Sequence, residues 1–297
     1  MTVYTADRAG GERSLTAIVA AMEEEVAPLR ARLLGQRAAA VTGARVTLGA
    51  LGAAPVALAV TGDGERNARR GLSAVLAALP VRRVIVVGVA GGLTAGLGVE
   101  ALLVVERVID ETDGSLHAAD AALTEAAARI SGARRGVAVT AVRIADTADE
   151  KRRLFALAGA RLAADRDGSN LPVVVDLESS VFAAVASRAG VPWMSLRAVS
   201  DPAAESVPAL LNRSRDSGGA VLRRRVVVGL LTRPSDLRRL LALRDRVRAC
   251  ASGLARATAL TVESLYTAEY TAERSVSAAS AAKATLDLGD DLATRDT

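Results

Sequence analysis

The feature that most constrains how this chain can fold is the stretch 173–201, VVVDLESSVFAAVASRAGVPWMSLRAVSD. Residues 173–175 and 193–199 are predicted strands, because each is a short apolar run bounded by turn or polar residues. Between them, apolar residues recur at helical spacing over 180–188, and Gly190 and Pro192 end that helix. A strand, a helix and a second strand in this order indicate an α/β domain.

Acidic residues follow both of these strands. Asp176 and Glu178 come after the first strand, and Asp201 comes after the second. Ligands of open α/β sheets bind outside the carboxyl ends of the strands. Glu178 and Asp201 are therefore expected at one rim, where two acids could share a substrate. The alternative is that both are ordinary surface carboxylates on loops, and residue chemistry alone leaves the two interpretations open.

Strands alternate with helices along most of the remaining chain. The strand at 82–87 is continuous and β-branched, which is typical of a central strand buried on both faces. The alternation predicts an α/β fold, a three-layer α/β/α sandwich with a central, mostly parallel mixed sheet. Further strands are predicted at 15–21, 44–51, 55–60, 101–109 and 136–144, and helices at 26–34, 65–79, 119–130 and 148–163.

The two ends of the chain differ from this central part. Residues 1–14 are expected to be a disordered leader, and one domain is expected over 15–262. That domain includes basic helices within 221–260, at 221–231 and 236–260. Residues 263–297 are rich in Ala, Ser, Thr and Asp without a period, and they are expected to form a flexible tail.

Composition excludes several classes of site. The chain of 297 residues has one cysteine and one histidine, Cys250 and His117. One cysteine allows no internal disulfide, which suits a reducing cytoplasm. One histidine and one cysteine are too few ligands for a typical zinc site. No metal or other cofactor is therefore expected, and acid–base chemistry must come from carboxylates. The N-terminus lacks the layout of a signal peptide, so a cytoplasmic location is expected.

Two glycine-rich segments follow predicted strands. Gly62 and Gly64 precede a helix that opens with Arg66, and a glycine turn before a helix N-terminus can bind an anion. The sequence there, GDGERN, lacks the third glycine of a dinucleotide-binding fingerprint. Gly88 and Gly91 belong to GVAGG, where glycines let a ligand approach the backbone and its amides.

Four segments in register resemble the purine nucleoside phosphorylase superfamily, most closely its methylthioadenosine/S-adenosylhomocysteine nucleosidase branch. They are AIVAAMEEEV (17–26), VIVVGVAGGL (84–93), VVVDLESS (173–180) and LRAVSD (196–201). The resemblance covers about 15–205 and implies a nucleoside phosphorylase-like fold. It also implies cleavage of the N-glycosidic bond of a purine nucleoside, expected to be a 5′-substituted adenine nucleoside.

The resemblance assigns a role to each acid. Asp201, beside Ser200, would be the general acid that protonates the purine, because the leaving base is a poor anion. Glu178, beside Leu177, would bind the ribose hydroxyls and stabilise positive charge on the ring. Glu25 would position or deprotonate the attacking water, and Asp176 would be structural. The site would be lined by Gly88, Val89, Ala90 and Gly91.

The chain departs from the family pattern at several positions. Leu177 stands where the family has Met, a near-isosteric change. Val89 stands where the family has Ser, which removes a hydroxyl near the nucleophile. The family's Val-Gly-Asp is Val-Glu-Ala at 99–101, and the aromatic residues that sandwich the purine have no counterpart near 144–147. Recognition of the base by stacking is therefore not expected from this sequence.

The nucleophile is expected to be water. Acids stand after the first strand, where phosphorylases of the superfamily have Gly and Arg, and acids repel phosphate. The alternative is phosphorolysis, with phosphate held by Gly62, Gly64 and Arg66. For Arg66 we prefer the simpler interpretation, an exposed arginine at a helix start. A non-catalytic nucleotide-binding module is the second alternative.

The late part of the chain is strongly basic, with twelve Arg against three Asp over 213–256. Residues 211–249 resemble the tail of hopanoid-associated phosphorylases, which are implied to act on adenosylhopane, a lipid-linked adenosine. Contact of 221–260 with an anionic inner-membrane surface is one expectation, and a solvated helix face packed on the domain or a second subunit is the other. The segment has no aromatic residue, which argues against nucleic acid. The resemblance also implies a homo-oligomer, with a dimer favoured.

Overall fold

The computed structural model describes residues 15–164, 170–214 and 235–293, with side chains described over 237–272 of the last segment. The predicted leader 1–14 and the predicted helix at 221–231 lie outside these residues. The described strands are β1 Leu15–Ala20, β2 Leu34–Ala39, β3 Arg45–Leu51, β4 Ala54–Val60, β5 Val81–Gly92, β6 Leu102–Asp110, β7 Leu116–Ala118, β8 Arg134–Thr140, β9 Val173–Asp176 and β10 Trp193–Asp201. The described helices are α1 Glu23–Arg30, α2 Glu65–Ala78, α3 Ala121–Ser131, α4 Ala148–Ala164, α5 Ser179–Arg188, α6 Leu210–Arg213 and α7 Ser235–Ala293.

The strands form one mixed sheet in the order β10-β6-β8-β9-β5-β1-β4-β3-β2, with β7 paired to β6. β5 is parallel to β1 and β10 and antiparallel to β9. Because β10 pairs with β6 as well as β5, the strands β5, β10, β6, β8 and β9 close into a ring. The predicted α/β class with a central mixed sheet is confirmed, and the ring closure is an additional feature.

Helices cover both faces of the sheet. Ala17 and Val19 of β1 belong to the core formed with α2 and α5, whereas Ile18 and Ala20 belong to the core formed with α1, α3 and α7. This division follows from the two-residue period of a strand. Since both faces are buried, β1 is apolar at every position except Thr16. The helices form the outer layers of the sandwich.

The strand was predicted over 82–87, with the glycine segment 88–92 directly after it. The structure continues β5 through it as far as Gly92. Gly88 pairs with Arg197 of β10, and Gly91 and Gly92 pair with Val175 and Val174 of β9. Hydrogen bonding to strands on two sides keeps these flexible residues extended.

The first helix was also predicted too far along the chain. α1 covers Glu23–Arg30, and Leu34 opens a strand, β2, that was not predicted. The sequence of β2, LGQRAA, is exposed over most of its length and lies at the edge of the sheet. A strand that buries neither face shows no apolar alternation, so the sequence pattern gives no signal for it.

α7 is a continuous helix of 59 residues, about 90 Å long at 1.5 Å per residue. It packs on the sheet through Cys250, Leu254 and Val262. Glu269 then forms ion pairs with Arg82, at 2.9 Å, and with Arg83. The segment from 263, expected to be a flexible tail, is helical to Ala293. Alanine is the strongest helix former, so a helix can form there without an apolar period. No helix in the described part of the chain combines the length and apolarity needed to cross a membrane.

Candidate active site

Glu25 lies in the first turn of α1, directly after β1, and its side chain is buried. One carboxylate oxygen, Oε2, accepts a hydrogen bond from the backbone N–H of Met22 at 2.9 Å. The other, Oε1, accepts one from the N–H of Val89 at 3.0 Å. Glu25, the residue predicted to position or deprotonate the attacking water, is therefore hydrogen-bonded to the glycine-rich end of β5.

Burial raises the pKa of Glu25, and the positive charge of Arg197 and the two backbone N–H donors oppose this shift. A carboxylate that is destabilised by burial takes up a proton more readily than one in water. The environment of Glu25 therefore makes it a stronger base than an exposed carboxylate.

Arg197 on β10 is a buried cation next to this acid. Its Nε lies 2.9 Å from Asp176 Oδ2, and its Nη2 donates to Ser179 Oγ at 2.7 Å. Thr140 Oγ1 donates to the other oxygen of Asp176 at 3.0 Å. Asp176 therefore holds the guanidinium in place, which supports a structural role for this acid.

Gly88 is required where Glu25 and Arg197 approach β5. A Cβ at this position would lie 2.7 Å from Glu25 Oε1 and closer still to Arg197 Nη1. Even the smallest side chain would overlap with both groups, since real Cβ contacts are longer than this. The missing side chain of Gly88 thus leaves the space that the acid and the guanidinium share.

Glu178 lies immediately before α5 and is also buried. Its Oε1 accepts a hydrogen bond from the N–H of Gly64 at 2.9 Å. Burial raises its pKa to about 7; the charges of Asp176 and Glu25 add to this, and the Gly64 amide and Arg197 oppose it. Glu178 and Glu25 are therefore close enough to influence each other's ionisation.

The predicted phosphate site is already engaged within the protein. The amide of Gly64 donates to Glu178, and the amide of Gly62 donates to the carbonyl of Ala21 at 2.9 Å. Gly64 adopts φ = 87°, a region that favours glycine. Arg66 is exposed on the first turn of α2. These glycines thus connect the β4–α2 turn to Glu178 and β1.

Asp201 lies at the end of β10, beside Gly91 of β5. The register between the two strands shifts at Ser200, so that Val199 pairs with Ala90 and Asp201 with Gly91. Such a bulge changes the direction of the following side chain. A Cβ on Gly91 would lie 3.1 Å from Asp201 Oδ2, so the glycine allows the carboxylate to approach the strand.

Two side chains bind the carboxylate of Asp201. Ser200 Oγ donates to Oδ1 at 2.6 Å, and the same hydroxyl lies 3.3 Å from the carbonyl oxygen of Ala90. Lys151 of α4 forms an ion pair with Oδ2. The acid, its serine neighbour and a buried lysine form one cluster.

The end of β5 brings the predicted site residues together. The Val89 amide binds Glu25 and Gly91 borders Asp201, and two residues of strand span about 7 Å. The charges of Glu25 and Arg197 both act on Glu178, whose carboxylate is bound by the Gly64 amide. Leu177 is partly buried in a neighbouring core.

Sequence reasoning missed two charged residues of this site. Arg197 was noted in the strand but received no role, and Lys151 was placed in a helix and not considered. Lys151 carried one signal: it is one of only two lysines, with Lys283, among 38 Lys and Arg residues. A lysine in a chain that otherwise uses arginine marks a position where a compact ammonium is needed.

Comparison with known proteins places this geometry in a family. Residues 16–225 match the model described as Phosphorylase superfamily. The chain belongs to this superfamily. The predicted family is therefore confirmed, and so is the prediction that the protein is an enzyme.

Individual relatives agree with this assignment. The 5′-methylthioadenosine/S-adenosylhomocysteine nucleosidase of Geobacillus kaustophilus (strain HTA426) is 30% identical over 208 residues, which are 64% of this chain and 85% of the relative. Two solved nucleosidase structures share the fold. The enzyme from Neisseria meningitidis, in complex with methylthio-immucillin-A, has a TM-score of 0.64 at 20% identity and covers 84% of this chain and 99% of its own. The enzyme from Streptococcus pyogenes has a TM-score of 0.66 at 18% identity and covers 86% and 99%.

Proposed function

We propose that this protein hydrolyses the N-glycosidic bond of a purine nucleoside, and that the substrate is a 5′-substituted adenine nucleoside. The observation that carries the proposal is that two buried carboxylates contact the C-terminal part of β5, Glu25 at the Val89 amide and Asp201 beside Gly91, and that a third, Glu178, is within electrostatic reach of Glu25. The nucleosidase activity in the name of the Geobacillus kaustophilus relative supports both the reaction and the adenine base.

The leaving base needs a proton, since a purine anion is a poor leaving group. Asp201 would donate a proton to purine N7 while the electron pair of the C1′–N9 bond moves into the base. The ribose then carries positive charge. Glu178 would accept hydrogen bonds from the ribose hydroxyls, and its carboxylate would stabilise that charge.

Glu25 would receive the proton of the attacking water. Burial raises the pKa of Glu25 and so favours proton uptake, whereas the positive charge of Arg197 favours the ionised carboxylate. A general base must be unprotonated when water arrives and must accept a proton when water attacks.

Two features support water rather than phosphate as the nucleophile. Three acids lie in the first turn of α1, and a phosphate dianion beside them would be repelled. The Gly62 and Gly64 amides, which were the alternative phosphate donors, already bind Ala21 and Glu178. Phosphorolysis, including that of a lipid-linked adenosine such as adenosylhopane, is the alternative to be tested.

Product analysis tests the proposal. Methylthioadenosine, S-adenosylhomocysteine, 5′-deoxyadenosine, adenosine and inosine would each be incubated with the protein, with and without phosphate. We expect free adenine and a free pentose from at least one 5′-substituted substrate, at a rate that phosphate does not change. Formation of a pentose 1-phosphate would establish phosphorolysis instead. Nucleoside binding without any cleavage would favour the non-catalytic nucleotide-binding module.

The raised pKa of Glu178, about 7, predicts a pH dependence of stability. In the unfolded chain the carboxyl loses its proton near its ordinary value of 4.5, whereas in the folded protein it keeps the proton to about 7. Between these values unfolding releases a proton, so this group makes folding less favourable as pH rises. We expect wild-type protein to lose stability relative to Glu178→Gln between pH 5 and 7.5, measured by urea unfolding.

A surface carboxylate provides the control for this measurement. Glu65 is 67% exposed and pairs with Arg69 on the same helix, and Glu65→Gln removes one negative charge without opening the site. If Glu178→Gln and wild type lose stability in parallel over this pH range, the raised pKa of Glu178 is contradicted. Ionisation of Glu178 also predicts that the KM of wild-type protein rises below pH 7.

Membrane contact and oligomerisation stay predictions. In the described part of the basic segment, Leu237 and Leu241 are exposed to 44% and 43%. Arg238, Arg244 and Arg248 are exposed around them. This combination supports an anionic membrane surface or a second subunit as the partner of α7.

A further inference from the structure

Lys151 is a buried lysine that the reaction described above does not use. Its side chain is 1% exposed. All of its hydrogen bonds go to one short segment: the Asp201 carboxylate, the carbonyl of Pro202 at 2.7 Å and the carbonyl of Glu205 at 2.9 Å. The three donors of the ammonium are therefore all engaged.

Burying an ammonium group costs free energy unless its charge and its donors are compensated. Here the compensation comes from the candidate general acid and from the loop directly behind it. A lysine whose only role was to fill space could be replaced by an apolar residue at lower cost. The position of Lys151 thus indicates a requirement for positive charge at Asp201.

α7 holds the other side of the same loop. Arg246 Nη1 lies 2.6 Å and 2.7 Å from the two carboxylate oxygens of Glu205, and Arg239 donates to the carbonyl of Ser206 at 2.7 Å. Lys151 binds the backbone of this segment from α4. The loop that follows Asp201 is therefore fixed from two helices, and Lys151 is the contact that reaches the acid itself.

We propose that Lys151 is a positioning residue for Asp201, which fixes the carboxyl group and stabilises the carboxylate that forms when Asp201 gives its proton to the leaving purine. The inference rests on the proposed function. In this step the O–H bond of Asp201 breaks and an N–H bond forms on the purine, while the C1′–N9 electron pair enters the base. Lys151 keeps its own proton throughout.

The charged and titratable side chains described around Asp201 come from two helices. Lys151 approaches from α4, and in the described residues it is the one cation within ion-pair distance of the acid. Cys250 approaches from α7, and burial raises its thiol pKa to about 11, with contributions from Glu100 and Asp201. A thiol at that value is neutral near pH 7, so Lys151 supplies the charge that acts on Asp201.

The test compares pH profiles of kcat/KM for nucleoside cleavage. Lys151→Met removes the cation that is paired with Asp201, so the carboxylate formed by proton transfer to the purine should be less stabilised. We expect the alkaline limb of the profile to move up by about one unit or more and the plateau to fall by about tenfold or more. Lys151→Arg should restore the wild-type limb at least in part. Arg152→Met, an exposed neighbour on α4 that pairs with Asp149, should leave the profile unchanged.

The outcomes separate this inference from the proposed function. If wild-type protein cleaves no nucleoside, both are overturned. If wild type cleaves and Lys151→Met loses rate without any shift of the alkaline limb, Lys151 is only structural and the inference alone is overturned. Should Lys151→Met fail to fold, Lys151→Gln is measured instead, because it retains hydrogen-bond donors for the loop carbonyls and removes only the charge. If the alkaline limb of the kcat/KM profile of Lys151→Gln coincides with that of wild type, the inference is also overturned.

Discussion

Asp201→Asn is expected to lower kcat for nucleoside cleavage by about 10²- to 10⁴-fold, the usual contribution of a general acid. Asparagine keeps the shape of the side chain and can still accept a hydrogen bond, but it has no acidic proton for purine N7. KM should change little, because the ribose contacts assigned to Glu178 are left in place. Steady-state kinetics on the best substrate of the nucleoside panel measures both parameters.

Stability must be followed in the same variant. Asp201 is the countercharge of buried Lys151, and an unpaired buried ammonium is destabilising. The melting temperature is therefore expected to fall, and kinetics should be recorded well below it. Asp149→Asn is the matched control. Asp149 is 84% exposed and pairs with Arg152 on α4, so the same change of residue type is made at the surface. Activity of Asp201→Asn within tenfold of wild type would remove the general acid from the proposal.

Gly88→Ala is expected to have the second largest effect, a loss of about 10²-fold in kcat/KM. The new methyl group would overlap with both Glu25 Oε1 and Arg197 Nη1, and neither can move freely. Glu25 is held by the amides of Met22 and Val89. A displacement of about 1 Å in a catalytic group can cost a factor of this size, and overpacking should also lower stability by about 1–3 kcal/mol.

Gly98→Ala is a suitable control for this substitution. A Cβ at Gly98 meets no atom within 4 Å, so the same change of residue type is made without a steric conflict. Thermal unfolding and kcat/KM would be measured for both variants. Wild-type kinetics for Gly88→Ala would show that Glu25 and Arg197 are not needed in their observed positions.

Much of this fold could be predicted from the sequence because its central strands are buried on both faces. β1, β5 and β10 are rich in apolar residues on both faces, and such segments are recognisable without any partner. β2 could not be predicted, since an exposed edge strand has no apolar face. The extension of β5 through Gly88–Gly92 also escaped prediction, because glycine has no strand preference of its own and depends here on pairing with β9 and β10.

Residues of the candidate site could be predicted from the sequence only where they come at or directly after the end of a predicted strand. Glu25, Glu178 and Asp201 each follow a strand, so their position after a strand places them at the sheet rim. Lys151 lies in the first turn of α4, 50 residues from the acid that it binds. Its identity as a lysine is the one local difference from its exposed neighbours Arg152 and Arg153, and that difference does not reveal its partner. Its role depends on how α4 packs on the sheet, which is information that the three-dimensional structure supplies.

The position of β5 within the sheet has a consequence for how a substrate would bind. This strand is hydrogen-bonded to β1, β10 and β9, so the backbone that touches Glu25 and borders Asp201 has little conformational entropy left to lose. Ordering a flexible site on binding would reduce affinity, because each immobilised residue costs free energy. In this protein the entropy of β5 is lost when the chain folds. The contacts with a nucleoside can then contribute to binding and catalysis without a further loss of backbone entropy in this strand.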